Sequence, residues 1–241
     1  MNVQIPNMAA QQVVSALQLL ANPDKAKHSY LFFKAIPGGY GYGDRFLGIS
    51  VPPQRKIAKQ HLSISLKELE KLLRNPYHEI RLTALFIACY KVEKAGLFEL
   101  DEIAALYLKN IAYINNWDLI DLSSPNILGR FLEHKERDLL YALAESKSVW
   151  EKRISILTCF YFIKKNDFED ALAISELLIN DEHDLIHKAV GWMLREIGKR
   201  DQLVEENFLK QYYLLMPRTM LRYAIEKFDE PLRKKYLTGE I

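Results

Sequence analysis

The feature that most constrains the fold is a repeat of helix-forming segments about every 36 residues. From Pro76 onward, apolar residues recur three and four positions apart, and short polar stretches separate the runs. Arg81 and Trp117 are 36 positions apart, as are Trp117 and Arg153, and Lys188 follows after 35 more. A period of this length is typical of solenoids, in which neighbouring helical hairpins bury each other's apolar faces.

The same periodicity predicts individual helices. Inner helices are expected to begin at Pro76, Trp150 and Leu185, and outer helices to span Leu97–Leu108, Arg137–Ser146 and Phe168–Leu178. Nearer the N-terminus, helices are predicted at Val13–Leu20, Asp24–Phe33 and Pro53–His61, with a glycine-rich loop at Gly38–Asp44. We therefore predict one all-α domain over residues 1–241, a right-handed α-superhelix (solenoid) of HEAT-like helical repeats with a concave basic groove. Arg81, Trp117, Arg153 and Lys188 are placed on that concave face.

Composition agrees with a helical protein. Hydrophobic residues make up 49% of the chain, while 10 Gly and 9 Pro leave few turn signals for a sheet. The formal charge of +2 gives no overall basic field, so a surface for a polyanion would need an uneven distribution of Lys and Arg. Cys89 and Cys159 lack paired spacing and are interpreted as reduced core thiols. Without a secretion signal at Met1–Gln12 or about 18 consecutive apolar residues, we expect a cytoplasmic protein.

The most unusual cluster of polar and aromatic residues lies between Asn115 and Asp121. On a helix, Trp117 and Asp121 are one turn apart on the same face, and Asp118 is also a neighbour of Asp121. One interpretation is a carboxylate held beside a large π-surface for chemistry. The other is structural: an asparagine caps the helix, Trp117 packs in the core, and the acids favour the positive end of the helix dipole.

Other candidates also have two interpretations or are excluded. Trp192 is either a ligand platform or core packing, and Arg153 is either a phosphate ligand or a partner in a salt bridge. His183 and His187 are four residues apart, but Glu182 precedes His183, no Glu follows it and Lys188 adjoins His187, so no metal site is expected. The glycines of Gly38–Asp44 follow no strand, which argues against a nucleotide-binding loop.

Several ordered motifs together resemble the AlkD-type DNA alkylation repair family, a family of HEAT-like repeat DNA glycosylases. The resemblance covers about Asp24 to Phe228. The residues that carry it are Phe46-Leu47-Gly48-Ile49 with Pro52 and Arg55, Trp117-Asp118-x-x-Asp121, Trp150-x-x-Arg153, and the run from Lys188 to Glu196.

The resemblance implies roles for individual residues. Asp121 matches the family's catalytic aspartate, Trp117 and Trp192 match its two active-site tryptophans, and Arg153 matches the arginine that holds DNA beside the lesion. Tyr30 falls at the place of an N-terminal tyrosine facing the same cleft. The long Gly38–Asp44 loop leaves Tyr40 and Tyr42 as alternatives for that place. Arg81, Lys188 and Arg195 are expected to contact the DNA backbone.

By the same resemblance, the chain would excise cationic N3- and N7-alkylated purines from double-stranded DNA in an open cleft. An alkylated purine leaves readily, so the developing positive charge on the deoxyribose is what a carboxylate must stabilise. We expect no cofactor, no metal, no membrane partner and a monomer. Two alternatives stay open at this point: a HEAT-like scaffold that binds DNA or protein without catalysis, and a glycosylase of altered substrate range.

Overall fold

The computed structural model describes residues 9–241, and its regular structure is helical, which confirms the predicted all-α class. Within residues 9–241 no β-strand forms, and a single parallel bridge joins Arg45 to Tyr77. The chain divides into two compact units, residues 1–123 and residues 124–241, with the boundary inside one helix. The predicted single domain and its right-handed superhelix stay predictions.

The first unit contains six complete helices and the start of a seventh in its described part, residues 9–123. They are α1 (Ala9–Gln18), α2 (Pro23–Phe32), α3 (Val51–Gln60), α4 (Leu66–Leu73), α5 (His78–Val92), α6 (Leu97–Lys109) and α7 (Trp117–Phe131), with a 3-10 turn at Ile111–Tyr113.

The second unit begins within α7 and continues with shorter helices. These are α8 (Asp138–Ala144), α9 (Val149–Thr158), α10 (Phe160–Ile163), α11 (Glu169–Leu177), α12 (Asp184–Gly198), α13 (Gln202–Tyr212), α14 (Arg218–Ala224) and α15 (Glu230–Thr238), with a 3-10 turn at Ile225–Lys227.

The predicted helices all form. Their ends differ from the predicted ends by at most four residues, the largest difference being α1, which begins at Ala9 in place of Val13. Helix α2 shows the local reasons for such an end: the Asn22 side chain accepts a hydrogen bond from the Lys25 N–H, Pro23 occupies the first turn, and Asp24 faces the positive end of the dipole.

Helix α5 is the core of the first unit. It packs against α3, α4, α1 and α6, and its residues from His78 through Cys89 are all buried. A helix covered on every side needs apolar residues all round, which explains the nearly continuous run from Leu82 to Cys89. Along this stretch the charged side chains of Glu79 and Arg81 are therefore buried and have to be paired.

Helix α12 has the same place in the second unit, where it packs against α9, α11, α13 and α14. Its apolar stripe, from Leu185 through Ala189 and Met193 to Ile197, is buried, and Lys188 and Trp192 are partly exposed. Both cysteines are buried and form no disulfide, as predicted. In the part of the chain that is described, none of the helices has the length and apolar character needed to cross a membrane.

Candidate active site

The first turns of α7 carry the predicted pair of an indole and a carboxylate. Trp117 opens the helix and Asp121 follows one turn later, and both side chains are partly exposed. Asp121 is therefore neither sealed in the core nor fully hydrated. Inside the helix, Ser123 donates a 2.5 Å hydrogen bond to the Leu119 carbonyl, and its Oγ lies 3.1 Å from the buried Tyr107 hydroxyl of α6. This contact fixes the helix just behind Asp121.

The negative charge of Asp121 acts on the buried Tyr107 hydroxyl of α6. Burial is the main cause that raises the pKa of Tyr107, and the negative charge of Asp121 adds to the rise. The Asp121 carboxylate thus lies close enough to the core of the first unit to act on a buried group, while it stays partly exposed itself.

The Trp117 ring is packed on one side by the aromatic end of α2. The ring centroids of Phe33 and Trp117 are 5.5 Å apart, and Phe32 approaches Trp117 edge-on at 5.9 Å. Phe33 in turn stacks on Phe46, with ring planes only 7° apart. These aromatic contacts hold Trp117 in one orientation while leaving it partly open to solvent.

Beneath this aromatic cluster lies a buried network of charges, which we call the α7 anchor and define as Asp44, His78, Arg81 and Asp118. His78 Nδ1 lies 3.1 Å from a carboxylate oxygen of Asp44, and Nε2 lies 2.8 Å from one of Asp118. Arg81 donates to the other Asp44 oxygen at 2.7 Å. Asp118, the residue after Trp117, is thus bonded to the core of the first unit.

The α7 anchor combines two acidic residues with two basic ones, and the pKa values of His78 and Asp44 reflect this pairing. Burial disfavours the imidazolium form of His78, but the charges and hydrogen bonds of Asp118 and Asp44 outweigh it and raise its pKa to about 9. Burial also raises the pKa of Asp44, yet His78 and Arg81 together hold it below its usual value. At neutral pH the network therefore contains an imidazolium and an ionised Asp44.

The structure places Arg81 in the core and not on the predicted concave groove. Its side chain is only 4% exposed, and besides Asp44 it donates to Asn115 Oδ1 at 3.0 Å and to the Asn75 carbonyl at 3.1 Å. The reason is that α5 is covered on all sides, so a cation in the repeat register lies in the core. Arg81 therefore holds the segment before α7, and we do not assign it a contact to DNA.

Tyr30 lies on α2 with its side chain 38% exposed. It lines an open, mainly apolar pocket of about 620 Å³ together with Leu31, Phe46 and Leu47. Of the two alternatives to Tyr30, Tyr42 is 67% exposed and lines a second pocket beside Arg81 and Asn115, while Tyr40 is partly exposed under the Lys34 ammonium.

The remaining predicted site residues lie in the second unit. Trp192 packs on Phe160 with ring centroids 5.8 Å apart, and its indole N–H donates to Glu196 at 3.1 Å. Arg153 is 5% exposed and donates to the Leu185 carbonyl at 2.6 Å. Lys188 is 40% exposed and pairs with Asp184 at 2.6 Å. Arg195 pairs with Glu226.

Sequence reasoning missed the role of Glu79, the acidic residue of α5. Its two oxygens accept the backbone N–H groups of Leu47 at 2.9 Å, Gly48 at 2.7 Å and Ile49 at 3.3 Å. Gly48 has φ +76°, and a Cβ there would overlap the Asn22 carbonyl, so only glycine fits this turn. Glu79 thereby fixes the segment that bears Phe46.

We expect Glu79→Gln to lower the free energy of unfolding by about 2 kcal/mol, because one acceptor oxygen is lost and an amide N–H₂ then faces backbone donors. Urea denaturation measures this change. Glu99→Gln is the matched control, since the Glu99 side chain is 46% exposed, and it should change stability by less than about 0.5 kcal/mol. Equal effects of the two substitutions would contradict the anchoring role of Glu79.

Comparison with known proteins agrees with this architecture. The chain superposes on a predicted DNA alkylation repair enzyme from Enterococcus faecalis with a TM-score of 0.67 and 18% identity, over 87% of this chain and 97% of that one. AlkD2 from Streptococcus mutans aligns with a TM-score of 0.52 and 16% identity, over 92% and 99% of the two chains. Structural likeness at these identities shows a shared fold. Curated protein sequences contain no match to this chain.

A family model supplies the stronger relationship. The model described as DNA alkylation repair enzyme matches residues 13–228, which cover most of each compact unit and include the Trp117–Asp121 pair and the run around Trp192. The match extends over most of the 241 residues. The chain therefore belongs to the DNA alkylation repair enzyme family.

Proposed function

We propose that the protein is a DNA glycosylase that hydrolyses the N-glycosidic bond of cationic N3- and N7-alkylated purines in duplex DNA, with Asp121 as the catalytic residue. The observation that carries the proposal is the position of Asp121. Its carboxylate is partly exposed, one helical turn from a partly exposed indole, on a helix whose start is bonded to the core.

The chemistry needs little more than such a carboxylate. An N3- or N7-alkylated purine already carries a positive charge and departs without a proton from the enzyme. As the bond breaks, positive charge develops on the deoxyribose, and a fixed carboxylate in a water-poor site stabilises it by several kcal/mol. The same carboxylate can orient the water that attacks the anomeric carbon. Asp121 is assigned both roles.

The other residues are assigned to binding. Trp117 and Trp192 would contact the sugar and the cationic base through their indole faces. Lys188, whose side chain is 40% exposed, would contact a phosphate. Arg153 is 5% exposed and donates to the Leu185 carbonyl, so, like Arg81, it is not assigned a direct phosphate contact and would act by holding the start of α12. Tyr30 would face the same bound strand. Because backbone contacts dominate, binding should weaken strongly with salt and show little sequence preference.

The test is incubation with a duplex that carries a single 7-methylguanine or 3-methyladenine, with the released base measured by chromatography. We expect release from the alkylated duplex and none from the unmodified duplex of the same sequence. Tight binding of both duplexes without release of base would overturn the proposal in favour of a scaffold that holds DNA without catalysis.

A further inference from the structure

The imidazole of His78 lies between two carboxyl groups, and between ionised carboxylates this geometry favours its protonated form. Both ring nitrogens lie within hydrogen-bond distance of a carboxylate oxygen, at 3.1 Å for Asp44 and 2.8 Å for Asp118. Ionised carboxylates only accept, and a neutral imidazole can donate from only one nitrogen. Satisfying both contacts therefore requires the imidazolium form. The ring is 2% exposed, so water does not replace either partner.

Among residues 9–241, the charged groups that act on His78 belong to three segments. The loop before α3 supplies Asp44, α7 supplies Asp118, and α5 itself supplies Arg81, which opposes the imidazolium charge but also neutralises Asp44. The rings of Phe33 and Phe46 lie 4.7 and 5.1 Å from the imidazole. Among the four residues of the α7 anchor, His78 is thus the one that contacts both Asp44 and Asp118 directly.

The anchor also gives the Gly38–Asp44 loop a structural purpose. Gly41 packs so closely that a Cβ there would overlap the Phe33 carbonyl and lie 3.3 Å from the Asn116 amide nitrogen. The Asp44 N–H donates to the Gly41 carbonyl at 3.1 Å. The loop therefore carries Asp44 beneath the residues that precede α7, where His78 and Arg81 bind it.

We propose that His78 is a positioning residue: by bonding Asp44 and Asp118 at once, it fixes the first turn of α7 and so the orientation of Trp117 and Asp121. Asp118 and Asp121 are three positions apart on one helix, so a shift of Asp118 is passed to Asp121 through the backbone. The inference rests on the proposed function for its consequence in catalysis. The positioning itself can be measured without DNA.

The consequence is a dependence on alkaline pH. Protonated His78 contributes its bonds fully below its ordinary pKa of 6.5, and this contribution is lost as pH rises through about 9. Once the proton leaves, one of the two carboxylates faces a nitrogen that no longer donates. Both carboxylates then repel each other across the ring, and the first turn of α7 is released.

The experiment uses Trp117 as its own reporter. The chain has three tryptophans, so replacing Trp150 and Trp192 by phenylalanine leaves Trp117 as the only indole. We expect its fluorescence to change with a midpoint near pH 9. The change should be absent in His78→Gln and should move to lower pH in Asp118→Asn, which keeps an acceptor but removes the charge. Asp101→Asn, at an exposed position of α6, should leave the midpoint in place.

Kinetics complete the test. His78→Gln should slow single-turnover release of 7-methylguanine by at least about 10-fold with little change in DNA affinity, because misplacement of the reacting groups affects the chemical step. Circular dichroism checks that each variant is folded. If His78→Gln does not fold, the shift of the fluorescence midpoint in Asp118→Asn tests the positioning role. An unchanged fluorescence transition in the folded variants would overturn the positioning role. A His78-dependent transition in a protein that releases no base would support positioning and reject only the glycosylase.

Discussion

Replacing Asp121 by asparagine is expected to reduce single-turnover release of 7-methylguanine from duplex DNA by at least about 100-fold. Asparagine has nearly the same shape as aspartate, so the packing of Trp117 and of the first turns of α7 should persist. What disappears is the negative charge. The loss corresponds to about 3 kcal/mol of transition-state stabilisation, the scale expected for one preorganised electrostatic group.

Two comparisons make this result specific. Asp101→Asn removes the same charge from an exposed position of α6 and should retain the native rate. The affinity of Asp121→Asn for the alkylated duplex, measured by fluorescence anisotropy, should change by less than about threefold, because the carboxylate acts mainly as positive charge develops. Native rates in Asp121→Asn would reject this residue as the catalytic group. A rate loss matched by an equal loss of affinity would assign Asp121 to binding.

The helices could be predicted because their signals are local. Apolar spacing of three and four residues identified α5, α9 and α12, and the placement of Trp117 and Asp121 on one helical face followed from a spacing of four. The same spacing could not reveal that α5 has no side facing solvent. Arg81 fits the repeat register, yet α5 is covered all round and Arg81 is buried against Asp44.

The α7 anchor could not be predicted for a different reason. Asp44, His78 and Asp118 are 34 and 40 residues apart along the chain, and their meeting depends on how one loop folds under α7. A glutamate in the first turn of a helix is a weak signal, because the positive end of the helix dipole favours acids there whatever their role, and the adjoining histidine carries no mark of its partners. The aromatic contacts of Trp117 were likewise hidden, since Phe32 and Phe33 lie at the end of α2, where periodicity fades.

Buried Glu205 leads to the second prediction, which concerns stability. The side chain lies on α13 and is 1% exposed, and among residues 9–241 its Oε1 has no hydrogen-bond partner. Its carboxyl group packs directly against Gly198, leaving no space for a Cβ at that glycine. Burial, helped by the charge of Glu206, outweighs the attraction of Arg195 and raises the pKa of Glu205 to about 9. The folded protein therefore keeps this carboxyl protonated at neutral pH.

Glu205→Gln should accordingly increase the free energy of unfolding at pH 7 by about 3 kcal/mol. The unfolded chain ionises Glu205 above its ordinary pKa of 4.5, while the folded chain does not until about 9, so each pH unit in that window costs the native protein about 1.4 kcal/mol. Glutamine mimics the neutral carboxyl and removes that cost. Urea denaturation at pH 4.5, 7 and 8.5 should show a gain that is near zero at the lowest pH and grows with pH. Glu182→Gln, at an exposed position between α11 and α12, should show no such trend. A gain that is the same at all three values would mean that Glu205 is ionised in the folded protein, with its charge compensated inside the second unit.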